Sequence, residues 1–183
     1  MTNMDKTTLR TIPYAKFGDH RGYLALSPLE AEDNWVQENV SQSIKGVLRG
    51  MHLQKEGSAQ TKLVRVLFGR ALDVIIDLRP DSPDYMKVSA FELSPETPEY
   101  LLVPKGFAHG FVTLEDDTIF QYRVDYGYDK EAESSILWSS PEIKPSFMET
   151  LEKYGITEDD LTLSEKDTAA LPLTEWLQVH KAI

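Results

Sequence analysis

Short apolar runs, many of them alternating with polar residues, follow one another from Arg10 to about Trp138. Residues 63–68 form a β-rich run closed by Gly69, and 71–78 form a second that stops at Arg79-Pro80-Asp81-Ser82-Pro83. Residues 87–93 alternate, 99–103 end at Pro104-Lys105-Gly106, and 111–114 and 119–124 flank the acidic turn Glu115-Asp116-Asp117. Strands recurring about every 8–12 residues with turn chemistry between them predict an all-β sandwich or barrel. No long helical period interrupts them, which argues against a βαβ dinucleotide fold. The texture changes near residue 141. Residues 146–155 predict a short helix with Ser146 as N-cap, Glu149 as its capping-box partner and Gly155 just past its end. A last amphipathic stretch runs to Ile183. The expected organisation is a single domain over 1–183, with a β core at about 10–140, a helical tail at about 141–183 and frayed residues 1–8.

Composition narrows the class. The chain has 183 residues, 41% of them hydrophobic, enough for a sizeable core. It carries 19 Lys plus Arg against 30 Asp plus Glu, a net charge of −11, which argues against nucleic acid or an anionic membrane as partner. There is no cysteine, so disulfides, thiolate zinc sites and a cysteine nucleophile are excluded, and a reducing, cytoplasmic setting is expected. No apolar run reaches the roughly 20 residues of a membrane helix, and residues 1–11 lack the apolar core of a secretory signal. The charge is uneven. Residues 45–70 hold six cations and one anion, a local +5, and leave −16 for the rest. Such an island suits an anionic ligand or simply solvates a strand face.

Two of the four histidines stand out. His52 ends the string Lys45-Gly46-Val47-Leu48-Arg49-Gly50-Met51-His52, and His109 lies in Pro104-Lys105-Gly106-Phe107-Ala108-His109-Gly110, between two expected strands. A histidine leaving a turn at a barrel mouth serves as ligand, base or satisfied core group. His20 and His180 lie in polar surroundings. The spacing Gly46 to His52, with Pro104-x-Gly106-x-x-His109, echoes the two motifs of the cupin barrels. A metal-binding cupin would carry His-x-His and then a carboxylate. Here Gln54 replaces the second histidine, and Ser58 and Ala59 stand where the acid belongs. Two histidines and a neutral amide make a weak first shell, so no metal is expected.

Several blocks together resemble one family. Asp19-His20-Arg21-Gly22, Gln37-Glu38-Asn39-Val40-Ser41-Gln42-Ser43, the 45–52 string, Gln60-Thr61-Lys62-Leu63-Val64-Arg65 and Gly106-Phe107-Ala108-His109-Gly110-Phe111 fall in the order and spacing of the dTDP-4-dehydrorhamnose 3,5-epimerases. So do Tyr122, Tyr128, Glu131-Ala132-Glu133, Trp138 and Ser164-Glu165-Lys166-Asp167, and the resemblance runs from about Phe17 to Pro172. It implies an all-β, cupin-type jelly-roll homodimer with short C-terminal helices, working without a cofactor. The implied substrate is a nucleotide-diphosphate 4-keto-6-deoxyhexose, of the dTDP-4-dehydro-6-deoxyglucose type.

The chemistry suits such residues. Inverting a carbon beside a ketone removes a carbon-bound proton and returns one to the opposite face through an enolate. That requires a base, an acid facing it and a fixed donor at the enolate oxygen. An imidazole, with an ordinary pKa of about 6.5, suits reversible proton abstraction. The resemblance makes His52 the base, Asp167 its partner, Tyr122 the proton donor and Lys62 the group beside the oxyanion. Asp73, an acid inside an apolar strand, is a weaker candidate for the partner of His52. The resemblance further assigns Arg21, Arg49 and Gln37 to the diphosphate, with Arg21 acting across a dimer interface. It assigns Asn39 and His109 to the sugar, Phe17 and Tyr128 to the nucleobase, and Glu133 and Lys166 to further substrate contacts.

The chain departs from the family after Arg21-Gly22. Leu26 takes the place of a carboxylate that helps hold the nucleotide portion, so a base preference that is not strictly thymine is expected. The stretch Val124-Asp125-Tyr126-Gly127 also differs, between Tyr122 and Tyr128, where one or two inverted carbons could be decided. Three alternatives stay open on residues alone: an epimerase of one carbon only, a metal-dependent cupin using His52 and His109, and a non-catalytic sugar-binding barrel.

Overall fold

The computed structural model describes residues 5–20, 22–26 and 34–180. The strands among them are β1 (Arg10–Pro13), β2 (Ala15–Asp19), β3 (Gly22–Leu26), β4 (Gln37–Ser43), β5 (Leu48–Gln54) and β6 (Lys62–Phe68). Then come β7 (Ala71–Asp77), β8 (Val88–Leu93), β9 (Glu99–Val103), β10 (Phe107–Thr113), β11 (Thr118–Val124) and β12 (Glu133–Ser135). Helices α1 (Lys144–Lys153), α2 (Glu165–Thr168) and α3 (Leu173–Val179) follow. One antiparallel sheet runs β1-β9-β6-β11-β4, a second runs β12-β5-β10-β7-β8, and β2 pairs only with β3. This is the expected all-β jelly roll of cupin type.

Burial on both faces explains why β7, inside the second sheet, reads as a nearly unbroken apolar run. Every residue of β7 and β10 is buried. Leu72, Val74, Ile76, Ala108 and Val112 cluster with Phe147 and Leu151 of α1 and Leu173 and Trp176 of α3, so the helical tail covers the outer face. Ala71, Ile75, Phe107 and Phe111 instead meet Val64, Val66 and Phe120 of the first sheet. Strands buried on both faces, as β7 and β10 are, need no polar alternation. Phe111 and Phe120 stack across the two sheets with centroids 3.7 Å apart.

The ladder between β5 and β10 is irregular where function collects. His109 faces His52, but Phe111 faces Arg49, so β5 carries one extra residue between these pairs. Such a bulge re-aims side chains: Arg49 and His52, three apart, both line the cavity between the sheets. Gly50 sits at this point with φ +128°, where a Cβ would overlap Gly110 Cα. A Cβ on Gly110 would meet Met51 Sδ at 2.7 Å. The two strands approach this closely only because both positions are glycine.

Two local expectations are corrected. The segment 107–110 is not a turn after Pro104-Lys105-Gly106 but the first half of β10, so His109 stands inside a strand. Helix α1 begins at Lys144, with Ile143 at its N-cap and Pro145 in its first turn, and Ser146 does not cap it. Proline fits the first helical turn because its missing N–H is unpaired there anyway. Gly155, at φ +62°, does follow the helix end, as expected.

Candidate active site

The cavity between the sheets, about 560 Å³, is lined by His52, Lys62, Tyr122 and Asp167 together. His52 comes from β5 of the second sheet, while Lys62 (β6) and Tyr122 (β11) come from the facing sheet. On β6 the residues at 62, 64 and 66 share the inner face, so Lys62 enters the interior in register with Val64 and Val66. Asp167 arrives from the tail on α2, which lies against β5.

His52 Nε2 is 2.5 Å from Asp167 Oδ1. The other carboxylate oxygen accepts from Ser164 Oγ at 2.9 Å, and Ser164 Oγ in turn accepts from Asp167 N as the N-cap of α2. Burial pushes the Asp167 carboxyl up. The His52 and Ser164 hydrogen bonds and the Lys166 charge outweigh it, so the net position is below the usual carboxylate range. An ionised Asp167 fixes the imidazole with its proton on Nε2 and the lone pair on Nδ1. Ser164 received no role from sequence. The spacing Ser164-x-x-Asp167, that of a capping motif, was the signal available.

Lys62 is buried, and that burial lowers its pKa to about 8 against the opposing charges of Asp73 and Glu133. Its Nζ lies 3.5 Å from both the His52 carbonyl oxygen and His109 Nδ1. Burial, aided by the Glu133 charge, raises the Tyr122 phenol above its ordinary 10.0, so it stays protonated as an acid through neutral pH.

The expected binding residues divide. Asn39, Arg49, His109, Glu133 and Lys166 line the same cavity. Lys166 Nζ donates to Glu133 Oε1 at 2.7 Å, tying α2 to β12. Tyr128 is exposed and its hydroxyl donates to Glu133 Oε2 at 3.0 Å, at the rim. Gln37 lies outside the cavity walls, donating to Asn39 Oδ1 at 2.7 Å and accepting from Tyr128 N. Phe17 lies outside the cavity lining, on the β2–β3 hairpin opposite Leu24. Arg21 falls outside the described residues.

Asp73 does not partner His52. Its Oδ2 lies 2.8 Å from His109 Nε2, because 73 faces 111 in the β7–β10 ladder and its side chain points between the sheets toward β10. Asp73 Oδ1 is buried with no hydrogen-bond partner. His109 therefore has both ring nitrogens occupied, one by Asp73 and one by Lys62. Gln54 is also committed: its amide nitrogen donates to the Ser58 and Gly127 carbonyls and its oxygen accepts from Asp129 N. Among the described residues no group of three or more His, Cys, Asp or Glu side chains is arranged to hold a metal ion, and no helix is long and apolar enough to cross a membrane.

Comparison with known proteins gives a consistent result. The family model described as dTDP-4-dehydrorhamnose 3,5-epimerase matches residues 8–175. The dTDP-4-dehydrorhamnose 3,5-epimerase of Methanothermobacter thermautotrophicus is 40% identical over 166 residues, 87% of this chain and 86% of that protein. The Escherichia coli enzyme of that name is 36% identical over 171 residues, covering 89% and 88%. Among solved structures, the epimerase of Legionella pneumophila in complex with dTDP-4-keto-L-rhamnose superposes with a TM-score of 0.78 at 35% identity, covering 94% and 90% of the two chains. That of Elizabethkingia anophelis gives 0.80 at 36%, covering 95% and 96%. With a matching family model over most of its length, relatives near 40% identity and the same fold, the chain belongs to the dTDP-4-dehydrorhamnose 3,5-epimerase family.

Proposed function

We propose that this chain inverts C3 and C5 of a nucleotide-diphosphate 4-keto-6-deoxyhexose by proton transfer, using its own side chains alone. The observation that carries the reading is one cavity holding the His52–Asp167 pair on one side and Lys62 and Tyr122 on the facing sheet. In this reading His52 Nδ1 takes the proton from the carbon beside the ketone, and the C–H electron pair becomes the enolate. Asp167 stabilises the imidazolium that forms. The Lys62 ammonium meets the oxygen as its charge grows. Tyr122 delivers a proton to the opposite face, and both groups then re-equilibrate with solvent for the second carbon.

Arg49, with Nη2 on Ser43 Oγ at 3.1 Å, presents a guanidinium fork at the cavity wall for diphosphate oxygens. His109 has no ring nitrogen left for the sugar, so in this reading it acts behind Lys62 rather than on the substrate. The departure at Leu26, half exposed at the end of β3, supports a base site without strict thymine preference. The absence of cysteine fits a cytoplasmic setting.

The direct test is deuterium incorporation from D₂O into dTDP-, UDP- and CDP-linked 4-keto-6-deoxyglucose. Two deuterons per sugar are expected, with turnover on more than one base. One deuteron would favour a single-carbon epimerase, none would sink the reading, and exclusive use of the dTDP sugar would remove the base proposal.

A homodimer completes this reading. Among the described residues the β2–β3 hairpin pairs with no other strand; it exposes Phe17, Tyr23, Leu24 and Leu26, and the edge strand β4 exposes Val40. Apolar surface of this kind on a hairpin and a sheet edge suits a second copy of the chain. Light scattering should return twice the 20.8 kDa monomer mass at micromolar concentration; a monomer there would contradict it.

A further inference from the structure

We propose that Asp73 and His109 are positioning residues that pass the carboxylate's charge through the imidazole to Lys62, so that its ammonium is held in place for the ketone oxygen. The proposal rests on the epimerase reading above. The three groups form a buried line: Asp73 Oδ2 to His109 Nε2 at 2.8 Å, and His109 Nδ1 to Lys62 Nζ at 3.5 Å. Asp73 is 0%, His109 5% and Lys62 8% exposed. An ionised Asp73 requires the proton on Nε2, which leaves Nδ1 as a lone pair facing Lys62. An ammonium has three donors. His109 Nδ1 and the His52 carbonyl take two, and the third is left for the cavity that Lys62 lines.

Stability does not explain this arrangement. Asp73 keeps one oxygen buried and unpaired, which opposes folding. Burial pushes the Asp73 carboxyl up, only partly offset by His109 and Lys62. Burial likewise lowers both His109 and Lys62. Apolar residues would fill the same space at less cost. What the line does supply is negative charge at Lys62, for which Asp73 is the largest influence opposing desolvation.

The other groups around Lys62 sort by sign. Glu133 of β12 supports its charge and Lys166 of α2 opposes it. His52 of β5 is tied to Asp167 of α2, Arg49 is a second cation on the cavity wall, and the Tyr122 ring of β11 lies 6.0 Å from Nζ. Glu133 is already shared with Lys166 and Tyr128, so Asp73 is the carboxylate devoted to this line.

The experiment reads Lys62 directly. In the full-length protein with labelled lysine, the Lys62 ammonium is titrated by NMR beside the pH profile of kcat. In Asp73→Asn both midpoints should fall by about one pH unit, the size expected for losing a close opposite charge. Turnover at pH 8 should drop roughly five-fold, with much less loss near pH 6.5. His109→Gln should shift both the same way. A folded variant whose midpoints match wild type overturns the proposal, since a merely structural role would change Tm and leave the alkaline limb in place. Should neither variant fold, the wild-type protein decides: ¹⁵N shifts must show His109 Nδ1 unprotonated at pH 7, and the opposite tautomer overturns the relay. The Lys62 titration needs no turnover, so failure of the epimerase reading, seen as absent exchange in wild type, is told apart from failure of the relay.

Discussion

His52→Ala is expected to lower epimerisation by about 10²–10⁴-fold, the range for removing a positioned general base, with deuterium incorporation lost at both carbons. Tyr122→Phe should be as slow in epimerisation but different in kind. The base would still exchange a proton on its own face, so deuterium should enter with retained configuration while inversion fails. That contrast assigns the two faces. Exchange and inversion lost together in both variants would leave the faces unassigned to these residues, and full activity in either would remove its role.

The His52 substitution also has a stability signature. Asp167 sits below the usual carboxylate range in the folded protein. A carboxyl depressed in this way adds stability above its unfolded value of about 3.9, and that stability is lost as pH falls through the lower folded value. Removing the His52 partner should therefore lower Tm at pH 7 and have little effect near pH 2. Ser164 and Lys166 remain as partners of Asp167, so the loss should be partial. Circular dichroism at both pH values checks this and shows whether inactivity is mere unfolding.

The second large effect is expected from Lys62→Met. Losing one preorganised donor at a developing oxyanion costs about 2.7–4 kcal/mol, or roughly 10²–10³-fold in kcat. Lys62 titrates at about 8, whereas the phenol of Tyr122 is raised above 10.0. The alkaline limb of wild-type activity should accordingly fall near pH 8, and Lys62→Met should lack it. A limb that persists there in the variant would belong to another group.

Stability should move the opposite way to activity. A lysine whose folded pKa lies below its unfolded 10.5 binds its proton more weakly when folded, so wild-type stability rises between about pH 8 and 10.5. Methionine fills similar space without a charge to desolvate. The variant should therefore be more stable than wild type at pH 7 and show no such rise. Thermal unfolding across pH 6–10.5 tests both statements, and a less stable variant at pH 7 would show that the buried ammonium supports the fold.

Sequence and structure agree closely where a signal is local. The β-rich runs 63–68, 71–78 and 119–124 reappear as β6, β7 and β11 within one residue or so at each end. Helix α1 stops at Lys153, and Gly155 with its positive φ follows the Tyr154 cap. Strand β4 carries no apolar run, because it lies at a sheet edge and its one aliphatic residue, Val40, faces outward. The His109 segment differs from expectation because Pro104-Lys105-Gly106 is a true breaker, but a strand begins at the very next residue.

Individual residue pairs show where local reading stops. Asp73 and Asp167 are both acids separated from His52 along the chain, and nothing in their spacing says which one the imidazole meets. The β7–β10 register sends Asp73 to His109, while the capping turn at Ser164 and the packing of α2 on β5 bring Asp167 to His52.

By itself, the sequence determined the fold class, the lack of thiol chemistry, the helical tail and the set of chemically capable residues, because each depends on periodicity, composition or residue type. Only the tertiary structure decided the partners, the burial that lowers Lys62, the commitment of His109 to two neighbours and the bulge that turns Arg49 and His52 to one side. Those properties depend on sheet register and on distance to water, quantities that exist only once strands far apart in the chain have paired.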